Sequence, residues 1–529
     1  MVEAFTDSEQ AKLAPYFTNT DRHIFALTNL PETVKGALFA RYSRSAKSLR
    51  RLFLDEFADN MPAGAVATST GVGVERAEKL YARVFNEYGD DSVAQLGGAH
   101  LACEYASNIL TKVLEWGRLM AYLEQSTRYV PYTDKLHGRW RYHVPSEVEG
   151  SLRHRYIEVM DQAFELYAKW IAAMQDHFSH RYPRSGGDSE GVHRAAIRAK
   201  ALDTLRGMLP AATQSNVGIY GTGQAYESLL LRMRAHPLNE VRECGDAMLR
   251  ELRKVIPAFL TRVDLPDRGG RWSEYQSATK TDVAAIARAL LDDQDVEPRA
   301  EVTLTGFDPD GETNVVAAAL YAVSALPDDQ LIAIARRMTA DERAVVLRAY
   351  VGDRTNRRHR PGRAFERTTY RFDVLTDYGA FRDLQRHRLL TLEWQRLTTS
   401  HGYTEPEAIR EAGAGEDWDR VMSGSAELHD ALEAAGLPDA AQYAVAMAYR
   451  VRFYMDMNAR EAMHMIELRT APQGHPAYRR VCQQMHTLIG DRAGHRAIAD
   501  AMKFVDHSVV ELERLGSERM LERKRTIAD

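Results

Sequence analysis

The chain repeats itself in outline, and that constrains its fold more than any other property. Ala37-Leu38-Phe39-Ala40-Arg41-Tyr42-Ser43 can be laid over Ala318-Ala319-Leu320-Tyr321-Ala322-Val323-Ser324. Each follows a strand-like segment, HIFALTNLP or AEVTLTGFDP, and each opens a helical stretch. Farther on, Arg118 pairs with Arg388 and Arg234 with Arg469 in the same order, although Ser43 to Arg118 spans 75 residues and Ser324 to Arg388 spans 64. Direct identity between the halves is slight, so the pattern suggests an old duplication. A chain of 529 residues has room for two such copies, each large enough to bury its own core. The junction is expected near 265–300, where Leu265-Pro266-Asp267-Arg268-Gly269-Gly270 is turn-rich and Asp292 to Glu301 is polar and acidic. The expected domains are therefore 1–285 and 286–529.

Between those polar stretches, TDVAAIARALL reads as a helix capped by Thr281. HRYIEVMDQAFELYAKWIAAM, VERAEKLYARVFNEY and YESLLLRMRA carry apolar residues at helical spacing. HIFAL, RWRYHVP, EVTLTGF and TTYRFDVL are the strand candidates, and Ser185 to Gly191 reads as an exposed loop. This mixture predicts a helix-rich α+β fold in two tandem copies, without the regular alternation of a doubly wound sheet. No Gly-rich dinucleotide fingerprint or phosphate-binding loop is present.

The formal net charge of −5 gives no general attraction to nucleic acid or to an anionic membrane. No apolar run is long enough for a membrane span, and the first residues lack the features of a signal peptide. Cys103, Cys244 and Cys482 lie far apart without metal-ligand spacing, which fits a reducing cytoplasm. Each falls in an apparently helical stretch (LACEYA, VRECGDAM, RRVCQQM), where a free cysteine is expected to be a small buried hydrophobe. His177 and His180 form an HxxH with no clear third ligand, so no metal site is expected.

Two segments carry most of the chemistry. In EQSTRYVPY the β-branched and aromatic residues and Pro131 favour extended chain. Glu124, Ser126 and Arg128 then alternate onto one side, as recognition of a phosphate and its sugar requires. The alternative is a surface turn with an incidental ion pair. Arg386-His387-Arg388 lies in YGAFRDLQRHRLLTLEWQRL, which reads as a helix with Arg388 on the apolar stripe of Phe381 and Leu384. A cation there needs an anionic partner, either a ligand or a structural carboxylate such as Asp383 or Glu393. Downstream, Arg206 and Arg234 are twenty-eight residues apart, and the matching places in the second half, Gln442 and Arg469, are twenty-seven apart. In MNAREAMH, Arg460 and His464 share a helical face, with Asn458 near its first turn.

Together these segments resemble the flavin-dependent thymidylate synthase family. In that family an Arg-His-Arg triplet is followed, eight residues after its first Arg, by Glu-x-Ser-x-Arg-Tyr. Stepping back eight from Glu124 reaches Trp116-Gly117-Arg118, so the first half keeps the tail and one arginine of the triplet. Stepping forward eight from Arg386 reaches Trp394-Gln395-Arg396-Leu397-Thr398-Thr399, so the second half keeps the triplet and loses the tail. VKGALFARYS, LRGMLP and MNARE…ELR resemble further family elements. The family's flavin-associated Glu-His is replaced by Gln95-Leu96 in one half and by Phe365-Glu366 in the other.

The resemblance implies FAD reduced by NADPH and methylation of deoxyuridine monophosphate (dUMP) with methylenetetrahydrofolate. It implies nucleotide binding by Glu124, Ser126, Arg128, Arg206 and Arg234, with Arg469 the second copy's counterpart of Arg234; Ser126, Arg128 and Arg234 are the candidates closest to the chemistry. It implies flavin contacts from Ser43, Arg386, His387, Arg388, Asn458, Arg460 and His464. A family that assembles as tetramers further implies a homodimer of fused copies, a pseudo-tetramer in the cytoplasm. Flavin-dependent alkylation of another pyrimidine nucleotide, and a non-catalytic nucleotide- or flavin-binding relative, are the alternative readings.

Overall fold

The computed structural model describes residues 3–30, 38, 42, 45–58 and 98–528. Ser43 and Gln95-Leu96 lie outside the described residues, as does VERAEKLYARVFNEY. The chain divides into two compact units. One comprises Met1–Ala168, Leu209–Val296 and Arg420–Val445; the other comprises Lys169–Met208, Glu297–Asp419 and Ala446–Asp529. Residues 169–208, which hold Arg206, thus belong with the second half's triplet and not with the rest of the first half.

Each unit contains a four-stranded antiparallel sheet, and the two sheets have the same connectivity. In the first the order is β1 (Ile24–Leu27), β2 (Gly98–Ser107), β4 (Gln214–Thr222), β3 (Met120–Glu124). In the second it is β5 (Val302–Phe307), β6 (Thr369–Asp377), β8 (Arg450–Asn458), β7 (Thr391–Trp394). HIFAL, EVTLTGF and TTYRFDVL form β1, β5 and β6 as expected. RWRYHVP does not form a strand and contributes only isolated bridges at Arg139 and Tyr142.

The strand LACEYA corrects a helical expectation. β2 is an inner strand whose central residues are buried on both faces, so the period-two alternation that marks a half-exposed strand is lost. Its Tyr105 has φ +60° at a register shift between Cys103 and Ala106, and Asn216 Oδ1 accepts its N–H at 3.0 Å. Cys244 and Cys482 do lie in helices, Asn239–Leu252 and Pro476–Asp491. The helix expected to start at Thr281 instead runs unbroken over Arg271–Leu291, with Thr281 in its interior bonding the Ser277 carbonyl.

In each unit a short helix follows the first inner strand and a longer one follows the second. These are α1 (Asn108–Leu114) and α2 (Gly223–Arg234) in the first unit, and α3 (Tyr378–Leu384) and α4 (Ala459–Arg469) in the second. Side-chain caps fix their starts. Ser107, Thr222, Asp377 and Asn458 accept backbone N–H groups at the first turns of α1, α2, α3 and α4 respectively.

Candidate functional site

The register of the second sheet explains how the triplet meets α4. β6 ends where β8 begins, since Asp377 pairs with Arg450. The chain then turns into α3 and returns along the sheet, because Thr391 at the start of β7 pairs with Asp456 near the end of β8. Arg386-His387-Arg388 is delivered just before that point, beside the first turn of α4. The triplet is therefore not helical, contrary to expectation: α3 stops at Leu384 and a turn leads into β7.

His387 is buried and both ring nitrogens are engaged. Arg469 Nε donates to Nε2 at 2.9 Å, and Nδ1 faces Glu461 Oε1 at 3.2 Å. The His464 ring stands edge-on to it at 5.6 Å between centroids, and Arg360 Nη2 lies 3.3 Å from His464 Nε2. Arg460 is held by the Pro361 carbonyl at 2.9 Å and by Glu366 at 3.4 Å. Asn458 spends its amide oxygen on the Glu461 N–H at 2.9 Å as the cap of α4.

Asp383 gathers three guanidiniums: Arg206 at 3.6 Å, Arg386 at 3.7 Å and Arg469 at 4.0 Å. Arg388, expected on an apolar stripe, is exposed because the helix has ended, and Asp383, one of the carboxylates weighed as its partner, pairs with Arg386 instead. Arg206 reaches it across Gly379, where an added Cβ would sit 3.1 Å from both Arg206 Nε and Nη2. Arg206 Nη2 is buried without a hydrogen-bond partner, an arrangement that is costly unless an acceptor arrives.

Burial and charge set the protonation states. Burial pushes the Glu461 carboxyl up to about 7, against the opposing pull of Arg360, Arg460 and Arg388. Burial, reinforced by Arg360, Arg357, Arg469 and Arg460, brings His464 down to about 4. Burial and Arg469 drive His387 well below its usual value. Ligand atoms of His387, Glu461 and His464 lie within 4.8 Å of one another, a spacing that could hold a metal ion. The surroundings do not suit one, because both His387 nitrogens are already bonded and arginines flank the group. The site suits an anion.

In the first unit the motif tail adopts a different form from that expected. β3 ends at Glu124, and the chain then turns, with Tyr129 and Val130 N–H groups both donating to the Ser126 carbonyl. The alternation of Glu124, Ser126 and Arg128 on one side is therefore lost. Glu124 is buried against Lys112 at 3.2 Å, and Lys112 also binds Glu115 at 2.5 Å. Ser126 Oγ accepts the Arg128 N–H at 3.2 Å. Gln125, which sequence reasoning passed over, lines a cavity of about 320 Å³ with Tyr105, Arg141, Gln214 and Asn216. Arg234 pairs with Asp246 and lines another cavity of about 390 Å³.

The first unit's counterpart of the triplet site lacks the carboxylate and both histidines and keeps an arginine, Arg232, with buried guanidinium nitrogens beside Gly117. Setting Arg234 over Arg469 places Tyr226 at Glu461 and Leu229 at His464. Tyr226 is buried with its hydroxyl on the carbonyls of Ala99 and Ile219, and Leu229 is fully buried. Gly117 stands where His387 does, with the Tyr122 hydroxyl on its carbonyl at 3.1 Å. The three cysteines are buried, and burial pushes the Cys482 thiol up to about 12, so a thiolate is disfavoured there. His177 lies 3.6 Å from Glu411 and His180 bonds the Asp176 carbonyl.

Comparison with known proteins adds a family. The family described as thymidylate synthase complementing protein matches the chain twice, over residues 37–258 and 303–493. A UPF0159 protein of Chlamydia muridarum is 36% identical over 521 residues, covering 97% of this chain and 98% of its own. A UPF0159 protein of Thermoplasma acidophilum is 29% identical over 510 residues, covering 92% and 97%. A flavin-dependent thymidylate synthase of Clostridium tetani is 25% identical over 199 residues, 37% of this chain and 74% of that one.

Proposed function

Starting from a chain that belongs to the family of thymidylate synthase complementing proteins and carries that family's match twice, we propose a flavin-dependent nucleotide methylase. Its reaction is reductive C5-methylation of dUMP, with FAD as cofactor and NADPH and methylenetetrahydrofolate as co-substrates. The observation that carries this reading is the convergence in one unit of Arg206, Arg386 and Arg469 on Asp383, beside Arg360, Arg460 and the His387–Glu461 pair.

That cluster fits an anionic cofactor. Its guanidiniums outnumber its carboxylates, and the buried Arg206 Nη2 still lacks an acceptor. Arg386, Arg388, Arg460 and His464 are the groups that would hold FAD, with Asn458 setting the start of α4; Arg469, expected on the nucleotide side, joins them because it bonds His387. FAD, when bound, supplies the redox chemistry, which no side chain here can perform. Ser126, Arg128 and Arg234 are assigned to the nucleotide, with Glu124 positioned through Lys112. Arg206, expected among the nucleotide contacts, lies in the second unit with Asp383, and its buried Nη2 is assigned to the anion held by that cluster. The protein's part is to bind, orient and exclude water, and a buried thiol is not called upon.

No described helix is long and apolar enough to cross a membrane, and we place the enzyme in the cytoplasm as a homodimer. A second reading, a nucleotide- and flavin-binding relative without turnover, is favoured by one observation: the Glu124 carboxylate is already committed to Lys112. An absorbance spectrum of the purified protein, followed by NADPH oxidation in the presence of methylenetetrahydrofolate with and without dUMP, separates the two. Bound flavin with dUMP-dependent formation of thymidylate supports the methylase. Bound flavin without turnover supports the relative, and colourless protein that takes up no FAD removes both.

A further inference from the structure

We propose that Glu461 and His387 form a relay that aims the Arg469 guanidinium at the ligand, with neither of the first two touching it. The triplet's histidine is thereby a positioning residue.

The argument begins with donor chemistry. A guanidinium carries only N–H donors, so Arg469 Nε at 2.9 Å from His387 Nε2 requires that nitrogen to present its lone pair. The neutral ring then carries its proton on Nδ1, and Glu461 Oε1 at 3.2 Å is placed to accept it. An imidazolium at this place would set an N–H against the Arg469 N–H. With both nitrogens committed and the ring buried, His387 has no polar edge left for a ligand.

Glu461 occupies the third position of α4, where a carboxylate commonly reaches back to the N-cap N–H. Here Asn458 caps the helix, no reciprocal bond from Glu461 closes a capping box, and its carboxyl turns to His387. The Arg469 guanidinium is fixed three ways: Nε on His387, Nη1 4.0 Å from Asp383, and its plane 5.5 Å from the Tyr478 ring centroid. Losing the histidine contact would release the guanidinium to rotate, and a bidentate anion contact depends on that orientation. The first unit supports the same logic by contrast. With Arg234 laid over Arg469 and Arg118 over Arg388 in sequence, Tyr226 and Gly117 fall at the two relay positions, and Arg234 pairs with Asp246.

Two measurements test the relay. Nitrogen NMR of histidine-labelled full-length protein, with His387 assigned by difference against H387Q, reads the tautomer without any ligand. A neutral ring protonated on Nδ1 at pH 7 is expected; an Nε2-protonated ring or an imidazolium overturns the proposal. The second measurement is FAD affinity, and this arm rests on the flavin reading above. E461Q keeps an acceptor and should stay within about threefold of the wild type, whereas E461L and R469A should each lose about tenfold. The double variant E461L/R469A should be no weaker than R469A, because one residue acts through the other. Additive losses overturn the relay. A chain that binds no FAD sinks the flavin reading, and the tautomer then decides the relay by itself.

Discussion

Arg206 Nη1 lies 3.6 Å from Asp383 Oδ2, an ion pair between side chains from opposite halves of the sequence. Both belong to one compact unit. The triplet region of the second half is thus completed by an arginine of the first, and Asp383 restrains the cations that would otherwise repel one another.

Asp383→Ala should destabilise the protein, because the buried Arg206 loses one of its two nearby carboxylates and keeps only Asp377. In a double-mutant cycle with Arg206→Ala, urea midpoints should give a coupling of about 1–2 kcal/mol. Additive effects would mean that the pair is incidental. Gly379→Ala should mimic part of the Arg206 loss, since the new methyl meets that guanidinium at 3.1 Å.

Lys112→Ala should cost about 3–5 kcal/mol, since it leaves two buried carboxylates, Glu115 and Glu124, without their shared cation. Glu124→Gln should be milder, because it removes a charge and not the compensation for one. Chemical denaturation of the two variants compares them directly. Equal stability would show that Glu124 does not depend on Lys112.

The two halves were unequally legible in the sequence. β5 and β6 are β-rich runs, and they stood out. Val451, Phe453, Met455 and Met457 alternate with more exposed neighbours in β8 and were legible in principle, although the helical reading of MNARE drew attention past them. β2 was hidden because an inner strand whose central residues are buried on both faces loses its alternation. The triplet and His464 were named from sequence, and the structure brings His387, His464 and Arg469 together. Glu461 was missed, since a carboxylate at the third position of a helix reads as ordinary capping. The placement of Arg206 could not be read at all, because nothing local in LRGMLP says which sheet it will pack beside.

Asn458→Ala should cost about 1 kcal/mol of stability through loss of the α4 cap. Asn458→Asp should restore the cap while bringing a negative charge towards the arginine cluster. Stability should therefore recover in the aspartate variant while FAD affinity stays low. Parallel recovery of both would show that Asn458 serves the helix alone.

The acid response of the cluster should be balanced, and removing one partner should expose the other. Glu461 protonates near 7 when folded, against an ordinary 4.5. The native state therefore binds this proton first, and its stability rises as pH falls from about 7 to 4.5. His464 titrates near 4 when folded, against an ordinary 6.5. The unfolded chain binds that proton first, so stability falls as pH drops from 6.5 towards 4. The deeply lowered His387 acts in the same direction. The opposing slopes overlap, and the wild type should change little from this cluster. E461Q removes the stabilising slope and should lose stability more steeply than the wild type on acidification from 6.5 to 4.5. H464N should lose it less steeply. Urea midpoints at four pH values read the differences, which cancel contributions from groups elsewhere. Parallel curves for all three proteins would mean that these side chains do not titrate as a coupled set.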